Sequence, residues 1–340
     1  TIAMEVVAAF LAVSGSCPVN VKVFLEGEEE NRQPDAKDHH QNVIASLLSV
    51  DAALSADGGR ASAAFPTINT GARGSGQLEF RLRTADKDLH SGRYGGCVRN
   101  ALHEMASLVA SLHRPDGTVA VPGFYAGACE PNAREKAETA AFPFEVNAFF
   151  DEIGASRHGE PGYSVREQIT LRPALDVNGM WGGYTGLGGK TIVPHTASAK
   201  ITVRIVEGQT SEQVLSAVVQ HLLEACPQDV ELEIVSQFNG APASTLAESH
   251  PLVRAAQAVL QREYGRKPVH VRLGASVPIT AVFKEMLGVD TLMFGYNLPD
   301  EDVHAPNEFF RLSSIGEGTR GWALLLDELS RFPVEAFNKP

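Results

Sequence analysis

Apolar positions along the chain fall into two rhythms, one helical and one extended. Ile2, Val6, Phe10 and Val13 recur at close to helical spacing and Gly15 supplies a stop, so the chain opens on a helix. The run Val19 to Leu25 is short, rich in β-branched and aromatic residues and bounded by Pro18 and Gly27, which predicts a central strand. From Gly76 the pattern reads strand (77–83), helix (98–113), a long connection containing Pro and Gly, strand (197–206), helix (211–225) and strand (229–238). Two β-α-β units of this kind predict a ferredoxin-like sandwich, with helices on one face of a mainly antiparallel sheet. Alternation in Lys200-Ile-Thr-Val-Arg-Ile205 leaves the other face solvated or paired with a partner. Helical spacing returns over 251–264, apolar runs follow at 269–272 and 291–294, and a last helix covers 312–332. The expected architecture is a discontinuous α/β domain, 1–70 and 245–340, interrupted by an inserted α+β domain, 71–244.

Charge narrows the partners. With 29 Lys+Arg against 41 Asp+Glu the net charge is −12, and no long basic run offers the clustered cations that nucleic acid or an anionic membrane requires. Small molecules and metal cations are the expected partners. The uncharged stretch from Val6 to Val21 contains Ser14, Gly15, Ser16, Pro18 and Asn20, too short and too polar for a transmembrane helix of about 20 apolar residues. Cys17, Cys97, Cys129 and Cys226 form no C-x-x-C pair, which suits buried reduced thiols and a cytoplasmic location.

Candidate chemistry concentrates at strand ends. Glu28, Glu29 and Glu30 follow the run 19–25, and in an open α/β sheet ligands gather at the carboxyl ends of strands. Adjacent residues in an extended segment point to opposite sides, so one glutamate could hold a metal while its neighbour addresses a water; a solvated acidic turn is the other reading. Asp57, in Asp-Gly-Gly, is a second carboxylate past a short apolar stretch, or an ordinary turn. His304 sits among acidic and loop-forming residues, the setting of a metal ligand or of a surface loop. Together Glu30, Asp57 and His304 are the O/N donors that Zn²⁺ or Mn²⁺ accept. His90 lies in a loop with Gly92, Gly95 and Gly96 that matches neither phosphate-binding glycine pattern. Arg172 could clamp a substrate carboxylate or be a surface arginine, and Ser276 lacks the nucleophile elbow of a serine hydrolase.

Several segments together resemble one family, the metal-dependent aminoacylase, carboxypeptidase and dipeptidase superfamily (M20-type zinc peptidases), and within it the carnosinase-like dipeptidases. The matching text is Phe24-Leu-Glu-Gly-Glu-Glu-Glu30, Asp88-Leu-His-Ser-Gly92 with Gly95-Gly96, Val121-Pro-Gly-Phe-Tyr125, Arg172-Pro-Ala-Leu-Asp-Val-Asn-Gly179 with Gly182-Gly-Tyr184, Lys190-Thr-Ile-Val-Pro194, Gly274-Ala-Ser-Val-Pro278 and His304-Ala-Pro-Asn-Glu308. The resemblance runs in consistent order over nearly the whole chain. It implies a zinc-exopeptidase-like catalytic α/β domain with a mixed sheet and two divalent metal ions, zinc or manganese, and an inserted lid through which subunits form a homodimer. It also implies hydrolysis of a dipeptide or N-acyl amino acid amide bond by metal-activated water. By motif, Glu29 is the general base, Glu30 and His304 ligate one metal and Asp57 the other. His90 on the lid reaches the neighbouring subunit's site, and Arg172, Asn178 and Ser276 hold the substrate.

Departures from the pattern carry expectations of their own. The family takes a histidine and a bridging aspartate from a portion before the first helix seen here, and the sequence opens at Thr1 inside a helical pattern. With fewer than the three protein ligands of a catalytic site, this chain by itself is expected to bind metal poorly and to hydrolyse nothing. A non-catalytic dimerising or binding protein is the alternative reading. Asn31-Arg-Gln-Pro34 replaces the usual residues after Glu30, and Leu273 stands where an acidic residue is often found, which favours N-acylated substrates over a free amine.

Overall fold

The computed structural model describes residues 2–25, 44, 46–275, 277–302 and 306–337. In chain order the elements are α1 (Ile2–Ser14), β1 (Ala53–Ser55), β2 (Thr67–Ala72), β3 (Gly74–Arg83), β4 (Leu89–His90), α2 (Ser91–Tyr94), α3 (Ala101–Ser111), α4 (Ala133–Ala141), α5 (Val146–Ile153) and α6 (Val165–Thr170). There follow β5 (Ala174–Gly182), β6 (Ile192–Val193), β7 (Thr196–Ile205), α7 (Ser211–Ala225), β8 (Glu231–Asn239), β9 (Ser244–Thr245), α8 (Pro251–Tyr264), β10 (Val269–Leu273), α9 (Pro278–Leu287), β11 (Thr291–Met293) and α10 (Leu312–Leu329).

Two sheets organise the molecule. The first is mixed, in the order β1-β11-β2-β10 with β9 on β2; β1 and β11 run parallel, as do β10 and β2. Helices α8 and α10 bury their apolar stripes against it, with Leu252, Val253, Ala256 and Val259 from one and Trp322, Leu325 and Leu326 from the other meeting Ile68, Leu292 and Phe294. Helix α8 begins where its pattern predicts, with the His250 side chain accepting from the Leu252 amide and Pro251 in the first turn, and stops at Gly265 with φ 66°. Helix α1 joins this core through Val6. Gly321 on α10 has no side chain because the Tyr296 hydroxyl occupies the place a Cβ would take.

The second sheet is antiparallel, ordered β5-β7-β3-β8, and α3 and α7 cover one face. That order and handing-off of strands is the predicted ferredoxin-like sandwich. Leu78, Phe80 and Leu82 on β3 point inward to Met105, Leu108, Leu215 and Leu222, while Gln77, Arg81 and Arg83 between them face out, the period-2 alternation of a half-buried strand. Burying each of these large side chains stabilises the fold by about 1.5–3 kcal/mol. The chain passes from one sheet to the other at Arg73. A Cβ on neighbouring Gly74 would meet the Ala243 nitrogen at 2.5 Å and the Ala241 oxygen at 2.6 Å, so the outgoing and returning strands touch there.

Two expectations are corrected. The run 19–25 forms no strand: no described strand lies beside it to exchange backbone hydrogen bonds, and Leu25 is 75% exposed. Its anchors are side chains instead, Lys22 Nζ donating to the Leu47 carbonyl at 3.0 Å and the Phe24 ring standing edge-on to Phe283. The long connection that follows α3 carries α4, α5 and α6 and then β5, the strand that completes the first β-α-β unit. Capping boxes at Asn132/Glu135 and Ser164/Glu167 start α4 and α6, satisfying backbone donors that a short polar helix could not otherwise settle. All four cysteines are free thiols, and Cys97 and Cys129 are exposed where burial was expected. Among the described residues, no helix is long and apolar enough to cross a membrane.

Candidate active site

Asp57 lies just past the C-terminal end of β1, beside the end of the parallel strand β11. Its backbone amide is held by Ser55 Oγ at 3.2 Å, while among the described residues nothing hydrogen-bonds or neutralises its carboxylate. The loop behind it is fixed on three sides. The Gly58 backbone approaches Gly295 so closely that Gly295 could not carry a side chain, Gly59 bridges to Asn297, and Arg60 anchors the far end of the loop. The Arg60 guanidinium, 5% exposed, donates to Glu317 at 2.5 Å, to the Tyr264 hydroxyl at 2.8 Å and to Ser314 Oγ at 3.2 Å, and lies over the Tyr296 ring. An exposed carboxylate on so rigid a mount is the chemistry of an available cation ligand.

His90 stands on a two-stranded ribbon where β4 pairs with β6, Leu89 opposite Val193 and His90 opposite Ile192. Two of the motif segments therefore meet, 88–92 and 190–194. Ser91 N donates to the Thr191 carbonyl at 3.0 Å, and Asp88 takes both the ring and the backbone amide of His195. That hydrogen bond from the His195 ring is the chief reason the Asp88 carboxyl is held below its usual value. His195 had no evident partner in the sequence, because the residue that pairs with it lies far upstream; its signal was its place directly after Pro194.

Asn178 sits where β5 bulges against β7, between the pairs Val177–Ile201 and Gly179–Lys200, and its Oδ1 accepts from Thr202 Oγ1 at 2.6 Å. Arg172 is 4% exposed and fully engaged: Nε and one terminal nitrogen bind Glu160 at 2.9 and 2.7 Å, and the other binds Glu130 at 2.9 Å. Tyr163 closes the cluster, its ring 4.3 Å from the guanidinium and its hydroxyl donating to Glu130 at 2.6 Å. Burial first, and then that bond to Glu130, pushes the Tyr163 hydroxyl up to about 12. A surface arginine is ruled out by this burial, and a substrate carboxylate at Arg172 would have to compete with two internal ones.

Glu29, Glu30, Ser276 and His304 lie outside the described residues, so only their flanks are placed. Arg73 joins the segment leading to Ser276 with the one leading to Arg172, donating to the carbonyls of Gly274 at 2.9 Å and Arg172 at 3.1 Å. Before His304, Glu301 is 1% exposed and accepts from the amides of Leu298 and Arg311, and Asp300 pairs with Arg311. Both acids are thus used to shape the loop. Among the described residues no group of three or more His, Cys, Asp or Glu side chains could hold a metal, and Asp57 is the expected ligand that can be placed.

An α/β unit is interrupted by a ferredoxin-like insert and carries, at a strand end, a carboxylate with no partner among the described residues. Comparison with known proteins identifies the insert. Residues 70–230 match the family described as a peptidase dimerisation domain (M20). The chain is 25% identical over 341 residues to human Beta-Ala-His dipeptidase, covering 96% of this chain and 66% of that protein. It is 25% identical over 344 residues to the Cys-Gly metallodipeptidase DUG1 of Saccharomyces cerevisiae, covering 97% and 69%. An M20 family metallo-carboxypeptidase of Sulfolobus solfataricus, Sso-CP2, shares the fold with a TM-score of 0.82 at 24% identity, covering 97% of this chain and 75% of that one. Residues 70–230 thus carry an M20-type peptidase dimerisation domain, and over nearly its whole length the chain is similar to metallodipeptidases. It spans about two thirds of the length of the curated relatives it matches.

Proposed function

We propose that this protein takes part in hydrolysis of the amide bond of a dipeptide or N-acyl amino acid, as a homodimer joined through the domain 71–244, with two divalent metal ions of the zinc or manganese type. The Asp57 carboxylate just past the C-terminal end of β1, without a partner among the described residues, carries the reading. Its chemistry fits a divalent cation, and Glu30 and His304 complete the donor set. When bound, such ions polarise a carbonyl and acidify water. Glu29 moves the proton, His90 on its ribbon steadies the developing oxyanion from the neighbouring subunit, and Asn178, Arg172 and Ser276 orient the substrate. Leu273 in place of an acid favours a capped amino terminus. The deciding experiment pairs metal analysis of the purified protein with turnover of a free dipeptide and of an N-acyl amino acid in added Zn²⁺ or Mn²⁺. Two ions per chain and hydrolysis lost in Glu29→Gln support the reading and overturn the impairment expected of this chain by itself; near-zero metal and no turnover sink hydrolysis by this chain and leave a binding protein.

A further inference from the structure

The chain crosses between its two sheets twice, outward at Arg73 and back through residues 240–243, and the crossings lie side by side, with Ser75 N donating to the Ala241 carbonyl at 2.8 Å. A two-strand crossing alone fixes no angle between the sheets. Arg73 supplies the missing restraint. Its backbone amide donates to the Leu273 carbonyl at 3.0 Å, and its guanidinium reaches across the junction. On the side of the first sheet, Nε donates to the carbonyl of Gly274 at 2.9 Å. On the side of the second, one terminal nitrogen donates to the carbonyls of Arg172 at 3.1 Å and Gln168 at 3.4 Å, where α6 ends and the chain turns toward β5. Gly274 admits no side chain at this meeting point, because a Cβ would stand 2.5 Å from the Ile169 oxygen.

These bonds call for an arginine. Three carbonyls on two sides of a junction match the planar fork of N–H donors on a guanidinium, and a lysine ammonium cannot place its protons at the same points. Burial first, and then repulsion from Arg204, lowers the Arg73 pKa to about 10, partly offset by Asp176, so the group stays charged at neutral pH. Other links across the junction are of a different kind. Arg272 pairs with Glu135 and with Glu207, whose side chain is 49% exposed and accepts from Thr245 Oγ1. An ion pair so open to water contributes little and is screened by salt. Arg73 instead ties backbone to backbone: Gly274 lies two residues before Ser276, while Arg172 and, on β5, Asn178 belong to the other side. The mount of Asp57 is made separately, by Arg60 and residues 295–297.

We propose that Arg73 is a positioning residue for the hydrolysis proposed above: it sets the angle between the two sheets, and with it the spacing between the segment leading to Ser276 and the pair Arg172 and Asn178. The proposal rests on that reading of the substrate groups. Because Arg73 touches nothing that holds Asp57, its effect falls on substrate binding. The test uses the full chain in added Zn²⁺ or Mn²⁺, with whichever of a free dipeptide and an N-acyl amino acid the parent hydrolyses. Arg73→Met should raise KM about tenfold or more and change kcat by less than about threefold. Arg73→Lys keeps the charge and loses the fork, and should raise KM about threefold or more. Glu207→Gln loosens an exposed link across the same junction and should keep KM within about twofold of the parent. An unchanged KM in Arg73→Met overturns the proposal and leaves the reading of function standing. So does an equal rise in Glu207→Gln, which would mark a general loosening of the junction. No turnover by the parent overturns that reading and the proposal together. Should Arg73→Met fail to fold, Arg73→Lys decides, and a KM equal to the parent's overturns the proposal.

Discussion

Asp88 Oδ1 accepts from the ring Nδ1 of His195 at 2.6 Å and from its backbone nitrogen at 3.2 Å, across 107 residues of sequence. One carboxylate oxygen therefore closes the ribbon on which His90 stands. Asp88→Asn should weaken that closure with a small stability change, below about 1 kcal/mol, since both partners are partly exposed. Hydrogen exchange should show faster loss of protection at Ser91 and His195, whereas α3 and α7 keep theirs. On the proposed role of His90, turnover should fall about tenfold or more with little change in KM. Unchanged exchange at Ser91 would mean the ribbon is held by its strand pairing alone.

Arg172 and its carboxylates form a second test. Glu160 is 17% exposed at its side chain and receives a bidentate pair of bonds from Nε and one terminal nitrogen of the guanidinium. Arg172→Ala leaves that acid desolvated and without its counter-charge, and should cost about 3 kcal/mol of unfolding free energy. Arg172→Lys should recover only part, because a single ammonium cannot reproduce the planar fork. Urea denaturation of both variants measures this. A loss under about 1 kcal/mol for the alanine variant would show the cluster to be replaceable by solvent.

What the sequence announced and what it concealed divide along physical lines. Elements with a strong period were read correctly: α7 and α8 fall where their spacing placed them, and β3 and β7 differ by a few residues at their ends. Helices α4 and α6 were hidden because they are short and polar and their starts depend on capping boxes at Asn132 and Ser164, not on hydrophobic spacing. The run 19–25 misled because strand propensity describes a pleated surface to be covered, and no described strand covers it. Of the candidate site, Asp57 was legible from its place after a short apolar run. The engagement of Arg172 was not, since Glu130 and Glu160 lie 42 and 12 residues away and carry no motif of their own.

Asp57 offers the most direct probe of metal chemistry. Because its carboxylate has no partner among the described residues, Asp57→Asn removes none of the hydrogen bonds they give this loop, and Arg60 still anchors the chain behind it. Stability should therefore stay within about 0.5 kcal/mol of the parent. Metal content should fall by one equivalent per chain, and hydrolysis of either substrate class should drop by two or more orders of magnitude. Equal metal content in parent and variant would remove Asp57 from the ligand set.

Two histidines contribute to the acid side of the stability profile. Burial, partly opposed by Asp290 at 3.4 Å, holds the His250 ring below its ordinary value of 6.5, and burial likewise lowers His270 beside Glu138. In the unfolded chain both rings take up protons as pH falls through about 6.5, while in the native protein they stay neutral to lower pH. The unfolded state thus binds more protons across that window, and the native state loses stability as pH falls. The slope cannot exceed about 1.4 kcal/mol per pH unit for each ring. His250→Asn should flatten it, because asparagine keeps an acceptor for the Leu252 amide and removes the titrating group. Urea midpoints measured between pH 7 and pH 5.5 give the comparison; parallel profiles for parent and variant would exclude His250 as a source of the pH dependence.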